Sequence, residues 1–137
     1  MPEPVRWTII ADVDVMRARQ DVRALAADAG FSGGDQTVIA AAVSEIARNI
    51  LIYARHGTIT AEVARCGSRQ GIVVVAEDEG PGIRDIQRAF QEGYSTSGGL
   101  GLGLPGARRL MDDFDIVSEQ GHGTRITMKK WKRAHDG

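Results

Sequence analysis

The chain has 137 residues, 42% of them hydrophobic, which is enough for one compact domain with a real core and short for two. Its formal charge of −1, with acids and bases interspersed, gives no global field that would favour nucleic acid or an anionic membrane. One cysteine, Cys66, cannot form an internal disulfide, no signal-peptide pattern opens the chain and its apolar runs fall far short of a bilayer span, so a cytoplasmic setting is expected.

In chain order, "VRWTII" at 5–10 reads as a strand. The next stretch carries Val15, Ala18, Val22, Leu25 and Ala29 at helical spacing and closes at Gly30. After the turn "GFSGG", Asp35 is the expected N-cap of a long helix running to about Ala54, with Ile39, Val43, Ile46 and Ile50 as its core stripe and Gly57 as its stop. "TITAEVAR" and "GIVVVAED" flank the turn "CGSRQG" and read as an antiparallel pair, the second so apolar that it belongs at the centre of its sheet. A short helix "RDIQRAFQE", a glycine-rich loop and a helix over 105–113 follow, Pro105 suiting a first helical turn. "FDIVSE" and "TRITMKKW", joined by "QGHG", close the chain as a hairpin, and the basic tail "KKWKRAHDG" reads as a solvated end. The sum is an α+β two-layer sandwich in a single domain over 1–137: a mixed, mostly antiparallel sheet of four or five strands with helices on one face.

Three stretches carry possible chemistry. "STSGGLGLGLPGARRL" sets glycines 98, 99, 101, 103 and 106 against a helix start, where unobstructed backbone amides and a helix N-terminus converge readily on phosphate. The match of "GLGLPG" to G-x-G-x-x-G, with Glu119 downstream, lacks the buried parallel strand that a dinucleotide fold requires, and no Walker loop occurs. In "AEDEGPGI", Asp78 ends a fully apolar strand before Gly80 and Gly82. A carboxylate fixed there is an acceptor for an exocyclic amine such as adenine's, and the glycines let a flat ring approach; taken alone, an ordinary acidic turn is the simpler reading. On the long helix, Glu45 and Asn49 stand four apart on one mostly apolar face, with Ser44 and Arg48 on another row. Two polar groups in an apolar row need a partner, either a structural hydrogen bond or a bound ion and substrate. The three histidines, His56, His122 and His135, are far apart in sequence, and no zinc site is expected.

Taken in order, "SEIARNILIYA", "DEGPGI", "GYSTSGGLGLGLPGARRLMD" and "GHGT" resemble the boxes of the GHKL ATPase superfamily, the Bergerat fold of histidine kinases, Hsp90, gyrase-type proteins and bacterial anti-sigma kinases. The resemblance spans nearly the whole chain. It implies ATP and Mg²⁺ as cofactors, with Glu45 as general base and Asn49 as the metal ligand. Asp78, Gly80, Gly82 and Thr124 would line the adenine pocket, and Thr96, Gly98, Gly99, Leu100, Gly101, Leu102, Gly103 and Leu104 would form the lid over the phosphates. Within the superfamily the chain is most similar to the RsbT branch, the switch kinases of stressosomes. Arg48 and Tyr53 stand where the sigma-sequestering RsbW and SpoIIAB branch usually shows a neutral residue and a histidine, whereas Leu102 replaces a smaller residue common in the lid.

The branch implies a serine/threonine protein kinase that phosphorylates a STAS-domain antagonist or stressosome scaffold protein and, once released, activates a metal-dependent serine phosphatase. Phosphoryl transfer asks mostly for positioning and charge neutralisation, so few side chains would suffice. The alternative within the family is an anti-sigma factor that sequesters a sigma factor and phosphorylates its antagonist. From another class, the alternative is a nucleotide-dependent binding module with vestigial kinase activity.

Overall fold

The computed structural model describes residues 4–80, 103–119 and 121–132. Their elements run β1 (Val5–Ile9), α1 (Asp12–Asp28), α2 (Gly33–Tyr53), β2 (Gly57–Cys66), β3 (Arg69–Asp78), α3 (Gly103–Leu110), β4 (Asp113–Glu119) and β5 (Gly123–Trp131). The five strands form one sheet in the order β1-β2-β3-β5-β4. Every described pairing is antiparallel, so the mixed sheet expected from the sequence is more regular than anticipated.

Alternation along the strands decides which face is covered. On β3, Ile72, Val74 and Ala76 are buried, and their partners on β5 include Ile126 and Met128. Trp7 and Ile9 on β1 and Ile59 and Ala61 on β2 continue that face, which meets Val15, Ala18, Val22, Ile39, Val43, Ile46 and Ile50 of the helices. Each fully buried Ile or Val contributes about 1.5–3 kcal/mol through removal from water. The opposite face of the sheet carries Arg6, Thr8, Thr58, Glu77 and Arg125 at the alternate positions.

Local chemistry sets the ends of the elements and corrects three expectations. Ser32, not Asp35, caps α2: its hydroxyl accepts the Asp35 N–H at 3.1 Å, which makes Asp35 a buried residue of the first turn. The same helix stops at Tyr53, before Gly57, because Arg55 turns left-handed at φ 70° and Gly57 already begins β2. The helix expected over 105–113 runs instead over Gly103–Leu110, leaving Asp113 to start β4. The expected β2–β3 turn is a two-residue Gly67–Ser68 loop, with Cys66 facing Arg69. Between layers, the Trp7 indole N–H donates to Asp21 on α1 at 2.9 Å, and α3 packs against α2. The helix expected over 84–92 lies outside the described residues.

Candidate functional site

The C-terminal end of β3 is where the sequence-marked residues gather. Asp78, in phase with the buried Ile72, Val74 and Ala76, faces the helix layer and pairs in register with Thr124 at the start of β5. Thr124 pairs in turn with Ser118 of β4, and their hydroxyls lie 2.8 Å apart. Asp78, Thr124 and Ser118 thus form a polar row across three strands at the rim of an otherwise apolar face.

Asp78 is half-buried, and its Oδ1 accepts the backbone N–H of Gly80 at 3.0 Å. Burial pushes its carboxyl above the ordinary value of 3.8; the backbone hydrogen bonds from Gly80 and Thr124 and the nearby charge of His56 pull the other way without cancelling it. The result is an acceptor held in a fixed direction but easier to protonate than a surface carboxylate.

Close backbone approach around Asp78 explains two of the glycines. Gly123 has φ 89°, and a Cβ there would run into the Asp78 carbonyl oxygen. A Cβ on Gly80 would meet the Cβ of Ala54, the C-cap residue of α2, at 2.6 Å. The second contact fixes the end of α2 directly over the end of β3. Asn49 lies five residues upstream of Ala54, about 7.5 Å along the helix axis, and Glu45 about 6 Å further.

Asn49 is largely buried, 9% exposed, and because every fully buried side-chain polar atom among the described residues has a hydrogen-bond partner, an amide atom of Asn49 without one is open to solvent. An amide at the edge of the core is suited to an oxygen-seeking cation, and its carbonyl oxygen is the hard ligand that Mg²⁺ takes. Glu45 is less buried, and Arg48, expected on a separate row, reaches it: Nη1 lies 3.1 Å from Oε1. Ser44, by contrast, donates its hydroxyl to the Ala41 carbonyl at 2.9 Å and faces the core.

Leu104 of the expected lid is in the core at 4% exposure, within the first turn of α3 rather than in a loop. Its backbone N–H and that of Gly103 are two of the first-turn amides of a helix, which have no partner within the helix itself. Gly82, Thr96, Gly98, Gly99, Leu100, Gly101 and Leu102 lie outside the described residues. Sequence reasoning missed Ser118, Gly57 and Gly123 as parts of this end of the sheet. The pattern "GHGT" was the available signal for Gly123, whereas Ser118 comes to Thr124 only through strand pairing.

A cavity of about 550 Å³ also opens at this end, lined by Gly57, Asp78, Gly123 and Thr124 together with open-face residues such as Arg6, Thr58, Glu77 and Arg125. His56 and His122, 66 positions apart in the chain, both border it. Among the described residues no cluster of three or more His, Cys, Asp or Glu is placed to hold a metal ion, and no helix is long and apolar enough to cross a membrane.

Residues 11–130 match the family model described as the histidine kinase-like ATPase domain. The chain is 47% identical over 125 residues to the serine/threonine-protein kinase RsbT of Bacillus subtilis, covering 91% of this chain and 94% of that one. It is 30% identical over 119 residues to an anti-sigma F factor of Clostridium kluyveri, covering 82% of each. Among solved structures, a mycobacterial sensor histidine kinase, MprB, superposes with a TM-score of 0.56 at 19% identity, over 97% of this chain and 99% of that one. A SiaB–SiaC complex from Pseudomonas aeruginosa gives 0.55 at 12%, over 94% and 89%. These two share the fold. The expected α+β Bergerat architecture and the kinase class both agree with this kinship, and the chain belongs to the histidine kinase-like ATPase family, in the branch of anti-sigma-factor-type serine kinases.

Proposed function

We propose that this chain is the switch kinase of a bacterial partner-switching pathway: in the cytoplasm it moves the γ-phosphate of ATP to a serine or threonine hydroxyl of a STAS-domain antagonist or scaffold protein. Asp78 accepts the adenine amine, with Gly80, Gly82 and Thr124 beside it. Asn49 holds Mg²⁺, which when bound neutralises charge on the phosphates, and residues 96–104 cover them. Glu45 takes the proton of the incoming hydroxyl as the oxygen attacks phosphorus and ADP leaves. The observation that carries this reading is the contact of Ala54 with Gly80, which sets the Glu45–Asn49 helix over the Asp78 end of the sheet. The 47% identity to a serine/threonine-protein kinase over nearly the whole chain supports the same chemistry.

After transfer, negative charge on the partner weakens the complex, and the freed kinase binds and activates a metal-dependent serine phosphatase. Incubation with Mg-ATP and STAS-domain proteins from the same organism, followed by intact-mass measurement, tests the transfer; an unmodified partner mass with each candidate refutes it. The anti-sigma F relatives at 30–35% identity favour one second reading, in which the chain also sequesters a sigma factor. Formation of a nucleotide-dependent complex with a sigma factor, measured by size-exclusion chromatography, distinguishes it.

A further inference from the structure

The ion pair on α2 is asymmetric. The Arg48 side chain is 54% exposed, while that of its partner Glu45 is 18% exposed, so a solvent-side guanidinium reaches inward over a mostly buried carboxylate. The contact is 3.1 Å between Arg48 Nη1 and Glu45 Oε1, and it occupies one of the two oxygens with which Glu45 could accept a proton. A charge-assisted hydrogen bond of this kind holds the carboxylate in one orientation. With its guanidinium half exposed and its two residues one helical turn apart, the pair contributes little to folding. Asn49, the next residue after Arg48, is largely buried.

We propose that Arg48 is a positioning residue that restrains Glu45 until the protein acceptor docks, and so suppresses wasteful hydrolysis of ATP. The inference rests on the reading of Glu45 as general base. In the reaction it suppresses, a water oxygen bonds to the γ-phosphorus, the bond from that phosphorus to the β–γ bridging oxygen breaks, and Glu45 takes the water proton; the products are ADP and inorganic phosphate. When an acceptor segment brings its own carboxylate to Arg48, the guanidinium exchanges one anionic partner for another at little net cost. Glu45 is then free beside the incoming hydroxyl. Water brings no such anion, so it meets a restrained base.

The test measures phosphate release at saturating Mg-ATP without any acceptor, in the parent chain and in Arg48→Ala, Arg48→Lys and the double variant Arg48→Ala/Glu45→Gln. Arg48→Ala should hydrolyse ATP about two- to fivefold faster, the change expected when an ion pair on a partly exposed helix face is lost. Arg48→Lys, which keeps the positive charge, should stay near the parental rate, and the double variant should lose the gain. A parental rate in Arg48→Ala, a rise in Arg48→Lys equal to that in the alanine variant, or a gain that persists without Glu45 overturns the inference. The base reading fails separately, if Glu45→Gln alone transfers phosphate to the acceptor at the parental rate.

Discussion

Replacing Asp78 with asparagine turns one carboxylate oxygen into an amide nitrogen where the backbone groups bonded to the side chain, the N–H of Gly80 and of Thr124, are both donors. The amide oxygen can satisfy one of them, and its NH₂ then faces the other. One mispaired donor in a half-buried site costs about 1–3 kcal/mol of folding stability. At neutral pH part of this is offset, because the folded-state pKa of Asp78 is raised: its burial penalty is absent below the unfolded value and complete only above the raised folded one. The stability loss in Asp78→Asn should therefore be larger in acid than at neutral pH. Nucleotide binding should suffer as well, since the adenine amine meets a group that can no longer accept in the same direction. A second loss of about 1–3 kcal/mol corresponds to roughly a tenfold to hundredfold or greater rise in Kd. Calorimetric titration with ATP and GTP at fixed Mg²⁺ measures it. Unchanged ATP affinity in Asp78→Asn, or equal affinity for GTP in the parent, refutes the adenine assignment.

ATP affinity in the parent should fall as pH drops through the raised pKa of Asp78, beginning above the ordinary carboxylate value, and calorimetry of Asp78→Asn should show that acid limb flattened. Glu45→Gln should bind Mg-ATP normally while transfer to the partner slows by about 10² to 10⁴, whereas Asn49→Asp should alter metal and nucleotide binding together, as equilibrium titrations would show. Gly123→Ala should lose at least about 1–3 kcal/mol in denaturant unfolding, because a left-handed backbone is combined with a collision against the Asp78 carbonyl. Ser32→Ala, which removes only the α2 cap, should cost about 1 kcal/mol and leave ATP affinity unchanged.

The parts of the molecule readable in the sequence are those governed by local pattern. β3 could be placed at the centre of a sheet because six of its ten residues, the unbroken apolar run from Gly71 to Ala76, leave no polar face for solvent, and the stripe Ile39, Val43, Ile46, Ile50 fixed the buried side of α2. The α2 cap was misread because Ser32 and Asp35 are both capping residues three apart, and only the hydrogen bond between them shows which one acts. Arg48 was assigned by its Cβ direction, but a long side chain spans helix rows that a short one does not. The link from Ser118 to Thr124 and the pressure of Gly123 on Asp78 arise from strand pairing between distant segments, for which single-chain periodicity holds no record. Of the candidate site, the helix row and Asp78 were legible through their polar breaks in apolar patterns; the backbone packing that gathers them was not.

The direct pairing of β3 with β5 has an evolutionary consequence. Asp78 and Thr124 are held opposite each other by the ladder itself, so the length of chain between Asp78 and Gly103 does not enter the register of the sheet. Doubling such a connection adds only about 0.6 kcal/mol of closure entropy. Changes of length in that stretch can therefore leave the pairing of Asp78 with Thr124 in place. A scaffold wired in this way can diversify its partners and its turnover without rebuilding its core.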